Sequence, residues 1–100
     1  MRVIARKTLR EFWEIDPAYA DSEKPLKAWF HEVEQAHWLT SADVKAQYRN
    51  ASILKENRVV FNIHGNKYRL VVRINYVAQI IYIRFVGTHE QYDQIDAETI

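Results

Sequence analysis

The sequence predicts an α+β domain, with N-terminal helices packed on one face of an antiparallel β-sheet and a short C-terminal helix. Three observations carry this. Apolar residues recur at helical spacing up to about Asn50 and at a period of two after it. Capping patterns punctuate the first half. A Gly65-Asn66 pair separates two alternating runs, which signals a hairpin. One hundred residues, 48% of them hydrophobic, are enough for a core of their own, so residues 1–100 are read as a single domain.

Met1 to Ala5 reads as a short strand. Thr8-Leu9-Arg10-Glu11 reads as a capping box opening a helix that runs to about Ile15 and stops before Pro17. Asp21-Ser22 offers a second cap, and Pro25 is tolerated in a first turn. Leu26, Trp29, Phe30, Val33 and Ala36 then follow at helical spacing, and Trp38 and Leu39 close the helix against the sheet. Thr40-Ser41-Ala42-Asp43 caps a short third helix carrying Val44 and Tyr48. Strands follow at Arg58 to His64, Lys67 to about Tyr76, and Gln79 to Gly87. A loop made of Gly65 and Asn66, with both supplying positive φ, sets Asn62 opposite Arg69, Val60 opposite Val71, Phe61 opposite Leu70 and Arg58 opposite Arg73. Simple alternation turns Leu70, Val72, Ile74, Ile81, Ile83 and Phe85 to one face. It turns Arg69, Val71, Arg73, Tyr82 and Arg84 to the other.

The formal net charge is only +1, but it is unevenly spread. Arg49 to Gly87 holds seven basic residues and one acidic, whereas Glu11 to Glu34 holds seven acidic and two basic. A basic sheet set against acidic helices can steer a polyanion. The chain has no cysteine, which excludes disulfides and thiolate metal sites. Its four histidines are scattered, and His31 and His37 miss the i, i+4 spacing of a helical zinc pair, so no metal or other cofactor is expected. Phosphate-binding glycine loops and a G-x-S-x-G motif are absent. The N-terminal apolar run is too short for a signal peptide, and no stretch approaches the ~20 apolar residues of a membrane span. A cytoplasmic location is the expectation.

Two constellations carry possible chemistry. Arg69, Arg73 and Arg84 share a face, and guanidinium forks fit phosphate oxygens. Solvated arginines on an open sheet face are also common, and spacing alone does not separate the two readings. In Thr88-His89-x-x-Tyr92-Asp93, a helix capped by Thr88 puts His89 and Tyr92 one turn apart. Histidine suits proton transfer near neutral pH, and tyrosine can assist it or stack on a base. The plain alternative is a cap, a packing tyrosine and an exposed histidine. Asn62 interrupts an apolar run on the arginine face, opposite Arg69.

The run Phe61-Asn62-Ile63-His64-Gly65-Asn66-Lys67-Tyr68-Arg69-Leu70, followed by Ile83-Arg84-Phe85-Val86-Gly87-Thr88-His89-x-x-Tyr92-Asp93, resembles the HigB toxins of bacterial toxin–antitoxin systems. Leu26-x-x-Trp29, Ala36-x-Trp38 and Ala51-Ser52 extend the likeness, which covers about Ser22 to Asp96. It implies a RelE-like fold and cleavage of messenger RNA (mRNA), usually on the translating ribosome. It also implies neutralisation by a cognate helix-turn-helix antitoxin of the HigA kind. Metal-independent cleavage through the ribose 2′-OH needs charge stabilisation, proton transfer and a grip on the RNA. For charge stabilisation the candidates are Arg69 and Arg84, and for proton transfer His89 with Tyr92. Asn62, Arg73, Lys67 and, on the second helix, Lys27 are the candidates for RNA contact. The competing expectations are a RelE-fold toxin that poisons gyrase, of the ParE kind, and a plain RNA- or ribosome-binding module.

Overall fold

The computed structural model describes all of residues 1–100. Strand β1 (Arg2–Ile4) leads into helix α1 (Arg6–Ile15). A 3₁₀ turn (Pro17–Ser22) then runs into helix α2 (Glu23–Gln35), and helix α3 (Ser41–Gln47) follows. Strands β2 (Ser52–Ile53), β3 (Arg58–Ile63), β4 (Tyr68–Asn75) and β5 (Ile80–Thr88) come next, and a single turn of helix, α4 (His89–Tyr92), follows β5. The sheet order is β1-β5-β4-β3-β2, antiparallel except that β1 runs parallel to β5.

The main core lies between the helices and one sheet face. Leu9 and Phe12 of α1 and Leu26, Trp29 and Val33 of α2 meet Phe61, Tyr68, Leu70, Val72, Ile74, Ile81 and Ile83. Phe61 is its hub, with ring centroids 5.4 Å from Trp29, 6.2 Å from Trp38 and 5.1 Å from Tyr48. The expected helical spacing buries Leu26, Trp29 and Val33, and Trp38 is buried after it, but Phe30 and Ala36 are only half-buried and Leu39, expected to close against the sheet, is exposed. Thr40 and Asp43 form the reciprocal capping box of α3, and β3 and β4 pair in the expected register.

Several expectations need correction. Helix α1 begins at Arg6, two residues before the expected Thr8 cap; Ala5 precedes it at φ 72°, with no side-chain cap. Ser22 does not cap α2: its hydroxyl donates to the Tyr19 carbonyl at 2.6 Å, while Asp21 reaches across to the hairpin. At the hairpin the left-handed residues are His64 (φ 55°) and Gly65 (φ 66°), not Gly65 and Asn66. Edge strand β2, two residues long, has no period to read in the sequence.

The consequential correction is a β-bulge. Val71 pairs with Phe85 but Val72 pairs with Ile83, so Arg84 is an extra residue on β5. The bulge reverses the alternation beyond it. Phe85 leaves the main core and joins Val60, Val71 and Ala97 in a second apolar cluster on the opposite face. Ile95, Ile100 and Tyr92 pack on that cluster, so the segment after α4 crosses the arginine face. Arg58 is buried beneath it and donates to the Ile100 carbonyl from Nε (2.9 Å) and NH2 (2.8 Å). The arginine face is therefore not the open basic surface that alternation suggests.

Candidate RNA-cleavage site

The second cluster divides the arginine stripe. At one end, Asn62, Arg69 and Gly87 stand side by side on β3, β4 and β5. At the other, Arg73 and Arg84 line a groove of about 490 Å³ with Asn57, Tyr76 and Tyr82. Arg73 lies four residues from Arg69 along β4, about 13 Å at strand rise. Val71, under its apolar cover, lies between them.

Gly87 makes the first end possible. A Cβ there would lie 2.5 Å from Phe85 Cζ and 2.7 Å from Gln91 Oε1, so the bare backbone admits both the Phe85 ring and the cap of α4. That cap is reciprocal: the Gln91 amide donates to Thr88 Oγ1 at 3.1 Å, and the Thr88 amide to Gln91 Oε1 at 2.9 Å. Gln91 Nε2 also donates to the Tyr19 hydroxyl at 3.2 Å, tying α4 to the 3₁₀ turn. The His89 amide donates to the Lys67 carbonyl at 3.2 Å, which seats α4 on the hairpin.

His89 itself is exposed, and its Nε2 lies 3.5 Å from Asp93 Oδ2. A carboxylate at that position can hold the imidazole in one orientation. Asp93 was not among the residues expected to act; the i, i+4 spacing from His89 is the signal that could have found it. Arg69 is half-buried, and its NH1 donates to the carbonyls of Asn66 (3.0 Å) and Tyr68 (3.4 Å). Backbone dipoles hold the guanidinium without neutralising it, which leaves a fixed positive charge beside the Gly87 gap. Tyr92 is half-buried against the second cluster, so it anchors α4 by packing.

Two expected RNA contacts are otherwise engaged. Lys67 Nζ pairs with the Asp21 carboxylate, which also accepts from the Tyr68 hydroxyl and lies 3.6 Å from His64 Nε2. The bond from Lys67, and then that from Tyr68, hold the Asp21 carboxyl below the usual range. The same bond to Asp21 raises the Lys67 ammonium. Burial pushes the Tyr68 hydroxyl up, and Asp21 adds to the effect. This cluster docks the hairpin onto the 3₁₀ turn. Lys27 lies in a groove between α1 and α2, in the helical layer, paired with Glu23 and 5.5 Å above the Trp13 ring. It shares no surface with Arg69. Nowhere do three or more His, Cys, Asp or Glu side chains come together as a metal site would require. No helix is long and apolar enough to cross a membrane.

Comparison with known proteins agrees with the motifs that meet at this end of the sheet. The family model described as HigB toxin, RelE-like toxic component of a toxin–antitoxin system, matches residues 22–95. That span takes in the hairpin, the bulged strand and α4. The chain is also 28% identical over 95 residues to the mRNA interferase toxin HigB of Escherichia coli (strain K12), covering 93% of this chain and 88% of that protein. The mRNA interferases HigB of Escherichia coli O157:H7 and Shigella flexneri match to the same extent. With the family model covering most of the chain and the α+β architecture in agreement, the chain belongs to the HigB toxins, RelE-like toxic components of toxin–antitoxin systems.

Proposed function

We propose that this toxin is a metal-independent endoribonuclease that cuts mRNA on the translating ribosome and so arrests growth. The observation that carries the reading is that an Arg69 guanidinium without a carboxylate partner and the His89–Asp93 couple stand at the same end of the sheet, Arg69 opposite Gly87 and the His89 amide on the Lys67 carbonyl. The relatives named mRNA interferase support it. In the reaction, the ribose 2′-oxygen attacks the adjacent phosphorus as its proton is removed. The bond to the 5′-oxygen breaks as that oxygen takes up a proton, leaving a cyclic phosphate and a 5′-hydroxyl. Arg69 stabilises the charge that builds on the phosphoryl oxygens. His89, oriented by Asp93, is the proton-transfer group. Asn62, beside Arg69 in the cross-strand row, positions the scissile phosphate, and Tyr92 holds α4 in place. Arg84, on the far side of the apolar cluster, is not part of this centre.

In this reading a cognate antitoxin of the helix-turn-helix, HigA-like kind neutralises the toxin, and both act in the cytoplasm. The competing reading, a toxin that acts by binding alone, gives the His89–Asp93 couple no task. Primer extension on transcripts after a brief pulse of expression separates the two. Wild type is expected to introduce discrete cuts within translated frames. Arg69→Ala is expected to lose them by a factor of ~10²–10³, about 2.7–4 kcal/mol of transition-state stabilisation, the value of one preorganised donor. His89→Ala, still binding ribosomes, is expected to lose them too. Growth arrest with intact transcripts would refute the ribonuclease.

A further inference from the structure

The groove at the other end of the arginine face is lined by Arg73 and Arg84. Arg73 is exposed on β4 and its cross-strand partner on β5 is Tyr82. The bulge residue Arg84 follows two positions on. Asn57, Ile74, Asn75, Tyr76 and Val77 complete the wall, and no carboxylate lines it. Glu56, next to Asn57 in sequence, pairs instead with Arg58 at 3.3 Å. Neither Arg73 nor Arg84 has a salt bridge, although Arg73 sits directly opposite Arg58 across β3 and β4. Like charges in facing positions destabilise a sheet. Arg58 is held by the Ile100 carbonyl, so the uncompensated member of this pair is Arg73.

Two exposed guanidinium groups without acids call for an anion. Two half-buried tyrosine rings and the almost fully exposed Val77 (97%) add flat apolar surface, which a lone phosphate or an acidic peptide does not need and a nucleobase does. A volume of about 490 Å³ is on the scale of a nucleotide site.

We propose that this groove is a second, non-catalytic site for single-stranded RNA, in which Arg73 and Arg84 grip backbone phosphate and Tyr82 stacks a base. The proposal rests on the reading of the chain as a ribonuclease. The site lies about 13 Å from Arg69, so it holds RNA flanking the cleaved bond, or the ribosomal RNA beside it. It sets affinity rather than chemistry.

The test is binding of a fluorescent, fully 2′-O-methylated RNA oligomer, which cannot be cut, measured across a salt series. Arg73→Ala/Arg84→Ala is expected to weaken binding at least ~10-fold at low salt. It is also expected to flatten the slope of log affinity against log salt by up to about 1.4, at ~0.7 per lost phosphate contact. Tyr82→Ala is expected to weaken binding without changing the slope, because stacking releases no counterions. Lys7→Ala/Arg10→Ala, on α1, is the control for charge alone. A loss in the groove variant no larger than in that control overturns the proposal, and unchanged affinity in Tyr82→Ala overturns the stacking. The same variants assayed on ribosomes free of mRNA separate the sources. Loss on the free oligomer assigns the groove to mRNA, and loss on ribosomes alone assigns it to ribosomal RNA. A wild type that cuts no transcript while the groove variant still loses binding would sink the ribonuclease and leave the groove standing.

Discussion

Gly87→Ala is the most informative single substitution, because one methyl group strikes the two features that build the site. Its Cβ would lie 2.5 Å from Phe85 Cζ and 2.7 Å from Gln91 Oε1. Carbon atoms rest at about 3.5–4.0 Å, so the tip of the ring must retreat by about 1 Å or more. The half-buried ring packs on Val60, Val71 and Ala97, so its retreat disturbs that cluster. Gln91 yields more easily, but its Oε1 accepts the Thr88 amide, so moving it loosens the cap that starts α4. Overpacking of this kind costs ~1–3 kcal/mol. For a domain of this size each kcal/mol lowers Tm by roughly 4–8 °C, so a drop of at least ~4 °C is expected. Cleavage is expected to fall further than stability, since His89 rides on α4. Thermal unfolding followed by circular dichroism, with transcript cleavage assayed well below Tm, measures both. Phe85→Ala in the same chain removes the obstructing ring. The double variant is therefore expected to be more stable than the two single losses added together, by ~0.5 kcal/mol or more. If Gly87→Ala melts within about 1 °C of wild type, or the two losses simply add, the close approach at Gly87 does not shape the site.

Phe61→Ala empties the hub of the main core, where Trp29, Trp38 and Tyr48 converge on a ring that is 1% exposed. It is expected to cost ~3–5 kcal/mol in denaturant unfolding. Asp21→Asn tests the clamp between the 3₁₀ turn and the hairpin. The Asp21 carboxyl is held below its ordinary 3.8, so its stabilisation is complete above that value and is lost as pH falls through the lower, folded one. The Lys67 ammonium is raised above 10.5, so its share is complete below that value and fades as pH rises through the higher one. Unfolding curves should show the variant less stable than wild type between about pH 5 and 9, and the two converging in strong acid. A constant gap down to the lowest pH would show that Asp21 acts by packing rather than by charge.

Those parts of the fold written in a local code were legible. Gly65 and Asn66 between alternating runs set the β3–β4 register, and Thr40 with Asp43 marked α3, because turn geometry and capping depend on neighbours in sequence. The bulge at Arg84 was not legible. From Ile80 to Val86 apolar side chains lie on both sides of β5, so either phase after Ile83 keeps the pattern plausible, and the choice is made by the contacts of Phe85 with Val60 and Val71. The start of α1 was hidden for a different reason. Ala5 in a left-handed conformation begins the helix with no side chain to announce it. At the candidate site, the row of Asn62 and Arg69 followed from the register. The withdrawal of Lys67 did not, because Asp21 meets it from 46 positions away.

The bulge also explains why three arginines on one face are not one site. Without it Phe85 would point into the main core, and Arg69, Arg73 and Arg84 would share a wet surface where their charges are weak. By turning Phe85 outward, the extra residue seeds an apolar patch that the residues after α4 cover. Each cationic group then stands at the edge of a low-dielectric floor, where a charge acts more strongly on a phosphate than it would in open water. The same patch anchors Tyr92 and so fixes α4, which places His89 and Asp93 on the side of Arg69 rather than of Arg84. A single added residue in β5 thus separates the Arg73–Arg84 groove, the proposed grip, from the Arg69 end, the proposed reaction centre. Since the RelE-like fold hosts binding toxins as well as nucleases, what sorts them here is the contents of the Gly87 end and not the sheet that carries it.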